Sequence, residues 1–134
     1  MRLLVAYDGS TGAIRALDRV ASLVGEGDTV AIINVVPSLD QARALSERDR
    51  ERHRDVRATH VAIARRTLFE RGIAATTIVA EGDPGHVICE VAAREGFDLI
   101  VVGTRHLHGM RRVAHRSTST DVVHRAPCDV LVVH

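Results

Sequence analysis

The sequence predicts an α/β fold: a single doubly wound domain whose parallel sheet carries helices on both faces. Three observations carry this. Five short runs are apolar and β-branched, amphipathic patterns alternate with them as right-handed crossovers require, and the connections are short. The 134 residues suit one domain, with no internal repeat and no composition shift marking a second. They are 46% apolar but only 2% aromatic with no Trp, so Ala, Val, Leu and Ile must build the core.

The elements follow in order. Leu3–Tyr7 reads as the first strand, continuously apolar as a strand covered on both faces must be. Ala13, Leu17, Val20, Ala21 and Val24 form one helical stripe, and Gly25 and Gly27 stop it. Val30–Val36 is the second strand. From Asp40 to Arg57, 11 of 18 residues are charged, with opposite charges three apart and like charges four apart. Such contacts are worth about 0.2–0.5 kcal/mol each and largely offset one another, which predicts a solvated, fraying helical extension. Val61, Ala64 and Leu68 then face the sheet before Gly72.

Thr76–Ala80 is the third strand. The third helix is the best punctuated: Asp83 is the cap, Pro84 suits the first turn, Ile88, Val91 and Ala92 make the apolar face, and Gly96 closes it. Asp98–Val102 is the fourth strand. The last helix starts at Ser117 or Thr118, carries His124 and Arg125 in its final turn and stops at Pro127, before a fifth strand at Val130–Val133.

Composition also excludes functions. Eighteen basic residues against 17 acidic leave a net charge of +1, and only Tyr7, Phe69 and Phe97 could stack bases, which argues against nucleic acid. Cys89 and Cys128 lie far apart and form no CxxC, so reduced, packed thiols in a soluble cytoplasmic protein are expected. Arg2–Ala6 is cut short by Asp8 before it can serve as a signal peptide, and no run approaches the roughly 18 apolar residues of a membrane helix. His106, His108 and His115 match no usual zinc spacing, so no metal is expected. The lysine-bearing phosphate loop is absent; the chain contains no lysine.

Doubly wound sheets bind ligands beyond the carboxyl ends of their strands, where strand order reverses. Two loops there have unusual compositions. After the first strand comes Tyr7-Asp8-Gly9-Ser10-Thr11-Gly12, where Asp8 could accept hydrogen bonds from a ribose or a base, and where Ser10 could equally be an ordinary helix cap. After the fourth comes a basic stretch. Between Gly103 and Thr120 stand four arginines (Arg105, Arg111, Arg112, Arg116) and three histidines with no acid. It ends in Ser117-Thr118-Ser119-Thr120, where a helix N-terminus and hydroxyls offer donors to an anion.

Taken together, VAYDGS at the first strand, the Gly82–Pro84 turn, DLIVVGTR at Asp98–Arg105 and HRAPCDVLVV at His124–Val133 resemble the universal stress protein family over essentially the full length. The resemblance implies a five-stranded sheet in the order 3-2-1-4-5, homodimers paired through the last strand (Val130–Val133), and, in a subset, binding of ATP or AMP. It implies a nucleotide site at Ala6, Asp8, Val35, Val102, Gly103, Ser117 and Thr118, with Arg105 and Arg116 on the basic loop beside it. The subset's motif is Gly, two residues, Gly, nine residues, Gly and then Ser or Thr. Here Gly103 and Ser117 match, while His106 and Arg116 hold the second and third glycine positions. A Cβ at either can block close backbone approach, and Arg116 could instead supply a charged donor.

The expected function is therefore a homodimeric, nucleotide-responsive stress module with no assigned catalytic residue and an unidentified protein partner. A member acting through protein contacts alone is the alternative. A weak ATPase or self-phosphorylating enzyme using Ser117–Thr120 is a second, though no general base is evident.

Overall fold

The computed structural model describes residues 1–36, 38, 46–104 and 117–134. The described elements are β1 (Arg2–Ala6), α1 (Thr11–Leu23), β2 (Thr29–Val36), α2 (Glu47–Glu70), β3 (Ala75–Glu81), α3 (Pro84–Glu95), β4 (Leu99–Gly103), α4 (Thr118–Arg125) and β5 (Asp129–Val133). The strands form one parallel sheet in the order β3-β2-β1-β4-β5, so β1 and β4 are neighbours at the reversal of strand order.

Alternation along the strands divides the core in two. Leu3, Val5, Val30, Ile32 and Val101 face α1 and α2, where Leu17, Val20, Val61, Ala64 and Leu68 cover them. Leu4, Ala31, Ile33, Ile100 and Val102 face the opposite side with Ile88, Val91 and Phe97 and with Val122 of α4. Aliphatic side chains thus do fill both layers. Cys89 is buried and Cys128 half-buried, both unlinked, in the second layer.

Helix punctuation follows the sequence closely. Ser10, Ser46, Asp83 and Ser117 are N-caps, each accepting a backbone N–H three residues on. Gly96 ends α3 in the left-handed conformation at φ 70°. The charged run is helical and largely exposed from Glu47 onward; residues 40–45 of it lie outside the described residues. Arg54 of that helix reaches Glu81 on β3 at 3.6 Å, and Arg71 pairs with Asp18 of α1 at 2.7 Å.

Strand bounds shift by a residue for identifiable reasons. Tyr7 donates its N–H to the Ile33 carbonyl at 2.8 Å, but its own carbonyl accepts from the Asn34 side chain, and the regular ladder ends at Ala6. At the other end Asp98 works as a brace before β4. Its carboxylate accepts the Arg2 N–H at 2.7 Å and its own N–H donates to the Arg2 carbonyl at 2.8 Å. The Arg2 guanidinium lies 5.0 Å above the Phe97 ring and donates to the Glu95 carbonyl.

Candidate functional site

The carboxyl ends of β1 and β4 lie side by side, and the segments leaving them run in opposite directions across the sheet. After Ala6 the chain turns sharply. Asp8 Oδ1 accepts the Ser10 N–H at 2.9 Å, Gly9 takes φ 81°, and Ser10 Oγ accepts the Ala13 N–H at 3.2 Å to open α1. Both readings of this loop therefore coexist: Ser10 is a cap, and the same turn presents Asp8 at the strand tip. Burial, reinforced by the neighbouring Asp8 carboxylate, raises the Tyr7 hydroxyl above its ordinary pKa.

Gly103 ends β4 directly against the first turn of α1. A Cβ on Gly103 would fall inside the Gly12 carbonyl group, and a Cβ on Gly12 would fall inside the carbonyl of Thr104. Only two glycines permit this approach. Thr104 then turns back to the last strand, its N–H donating to the Val133 carbonyl at 2.9 Å.

The helix α4 returns from the carboxyl end of β4 to the start of β5, which puts its N-terminus at the same end of the sheet as Asp8. Ser117 caps it, accepting the Thr120 N–H at 3.2 Å. Its hydroxyl also meets those of Thr120 at 2.7 Å and Ser119 at 3.1 Å. Ser117 and Thr118 are exposed while Ser119 is buried. Exposed hydroxyls thus stand at the positive end of a helix, an arrangement suited to an anion.

The other expected site residues divide by burial. Ala6 and Val35 are half-buried and pack on the α3–α4 layer at the strand ends. Val102 is 2% exposed, so its side chain belongs to that layer's core beneath the site. Arg105 and Arg116, with His106, His108 and His115 between them, lie outside the described residues. Among the described residues no group of three or more His, Cys, Asp or Glu side chains is placed to hold a metal ion, and no helix is long and apolar enough to cross a membrane.

Two residues outside the expected site bear on this loop. Asn34, 1% exposed within β2, donates Nδ2–H to the Tyr7 carbonyl at 2.7 Å. Its signal was present as the one polar residue of the run Ala31-Ile32-Ile33-Asn34-Val35-Val36. His60 of α2 stands over Gly9, with Cε1 and Nδ1 each 3.2 Å from where a Cβ would be. No pattern in the sequence marks it.

The family model described as the universal stress protein family matches residues 1–134. The chain belongs to this family. A universal stress protein of Bacillus subtilis, YxiE, is 32% identical over 144 residues, covering 98% of this chain and 97% of that one. Among solved structures, the hypothetical protein MJ0577 superposes with a TM-score of 0.84 at 20% identity, over 98% of this chain and 94% of that one. A universal stress protein family member from Arabidopsis thaliana with AMP bound superposes with a TM-score of 0.77 at 21% identity, over 99% and 90% of the two chains. At these identities the two structures speak for the fold, the doubly wound sheet in the order 3-2-1-4-5.

Proposed function

We propose that this universal stress protein, as a single α/β domain over residues 1–134, binds an adenine nucleotide, ATP or AMP, at the carboxyl ends of β1 and β4. The observation that carries the reading is the convergence at one sheet end of the Asp8 turn and the Ser117-capped N-terminus of α4. The Arabidopsis family member with AMP bound supports it. In this reading Ala6 and Val35 line the base, the Asp8 carboxylate accepts from the ribose, and the Gly103 backbone, Ser117 and Thr118 approach the phosphates over the Val102 core. Arg105 and Arg116 add positive charge beside them.

The module works as a cytoplasmic homodimer in a stress response, its nucleotide state read by a protein partner. β5 is an edge strand whose Val130, Leu131 and Val132 are only half-buried, a smooth apolar margin that a second copy would cover. Protein–protein contact without nucleotide is the second reading, favoured by His106 and Arg116 at the family's glycine positions.

Titration calorimetry with AMP and ATP on the purified chain tests the site. Binding at micromolar to submillimolar concentration supports the module, and heat-free injections up to millimolar ligand favour the contact-only reading.

A further inference from the structure

The Tyr7–Ser10 turn is held from behind by two side chains that belong to neither β1 nor α1. A buried asparagine in a central strand is costly, because each of its polar atoms must find a partner or remain unsatisfied. Asn34 is 1% exposed, and its Oδ1 has no partner among the described residues, yet its Nδ2 makes a 2.7 Å bond to the Tyr7 carbonyl. A leucine of similar volume would avoid the unsatisfied acceptor but would release that carbonyl. The bond fixes the peptide plane joining Tyr7 to Asp8, one bond from the Asp8 Cα.

His60 acts on the next residue. Its ring lies 3.2 Å from where a Gly9 Cβ would sit, a tight contact, and its Nδ1 is buried without a partner among the described residues. Gly9 holds φ 81°, a left-handed conformation with many alternatives open to glycine, so the ring limits how far the turn can swing back. Asn34 follows Ile32 on the α1–α2 face by strand alternation, and α2 covers that face. Ala6 and Val35 pack on the opposite face. The two supports therefore stand on the far side of the sheet from the pocket wall.

We propose that Asn34 and His60 are positioning residues that together set the Asp8 carboxylate, and through it the preference for a ligand with free ribose hydroxyls. The specificity part rests on the nucleotide reading above. The positioning part does not, since the Ser10 N–H that Asp8 holds reports on the turn without any ligand.

The experiment compares the wild-type chain with Asn34→Leu, His60→Ala and His60→Phe. Calorimetry reads affinity for AMP and for 2′,3′-dideoxy-AMP, and hydrogen exchange reads the Ser10 amide in the free protein. Loss of either support should speed Ser10 exchange and cut the preference for AMP over the dideoxy ligand by about tenfold. His60→Phe, which keeps the ring, should restore both. Should Asn34→Leu fail to fold, the two His60 variants carry the same comparison, since His60 is only half-buried. Unchanged Ser10 exchange in the folded variants overturns the clamp whatever the affinities. Faster exchange with an unaltered AMP preference overturns its specificity role. If the wild type binds neither ligand, the nucleotide reading is what fails, and Ser10 exchange still decides the clamp.

Discussion

Gly12 and Gly103 meet backbone to backbone, locking the first turn of α1 onto the end of β4 with no side chain between them. Neither position has a positive φ, so the need for glycine here is steric and not conformational. Gly27 is the converse: φ 84° with open space around its Cβ position. Gly103→Ala should cost about 2–3 kcal/mol, because main chain must move aside. Gly27→Ala should cost about 1 kcal/mol from backbone strain alone. Urea unfolding of the two variants checks the ranking.

Ser117 serves as a cap whether or not a ligand is present, which separates two effects of its removal. Ser117→Ala should lower stability by about 1 kcal/mol, and Ser117→Gly by only a few tenths. If the hydroxyl also meets a phosphate, both variants should weaken AMP binding alike despite their different stabilities. Denaturation and calorimetry on the same samples provide the check.

Burial raises the Cys89 thiol above its ordinary value of 9.0, with smaller charge effects led by Cys128. Burial likewise raises Cys128, with the Asp129 carboxylate adding to it. The sign follows. Above about pH 9 the unfolded chain releases these protons while the folded chain retains them, so stability falls as pH rises through that range. Cys89→Ala should give a shallower decline in melting temperature between about pH 8 and pH 10 than the wild type. Parallel declines would count against it. At neutral pH both thiols should react slowly with a maleimide.

The Val133 carbonyl faces β4, where it accepts from Thr104, so strand alternation turns the polar groups of Val130 and Val132 outward. Val132→Pro removes an outward N–H without taking a rung from the β4–β5 ladder. If copies pair through this edge, light scattering should show dimer for the wild type and monomer for the variant, with the sheet's circular dichroism retained. A wild type that scatters as a monomer would contradict the proposed assembly.

The fold was legible because its signals are local. The apolar runs, the caps at Ser10, Asp83 and Ser117 and the stop at Gly96 each depend on residues within a turn of one another. Asp8, Gly103 and Ser117 could be named from composition at strand ends and from the family resemblance. Gly12 could not, since its requirement comes from the Thr104 carbonyl, 92 positions away in the chain, and appears only once α1 lies across β4. His60 escaped for the same reason: a histidine on a charged helix looks solvated until that helix is folded over the Gly9 turn. Asn34 was visible as an anomaly, but the partner that explains it is a main-chain carbonyl, which leaves no trace in sequence.

The reciprocal bonds between Arg2 and Asp98 sit at the amino end of the sheet, remote from Asp8 and Ser117. They pin the alignment of the two central strands from below, by a fastening that no guest above can reach. The loops at the opposite rim can therefore be shortened, exchanged or grafted with new recognition chemistry while the strands beneath keep their relative height. This makes the chain a candidate frame for built-in sensors as well as an object of study.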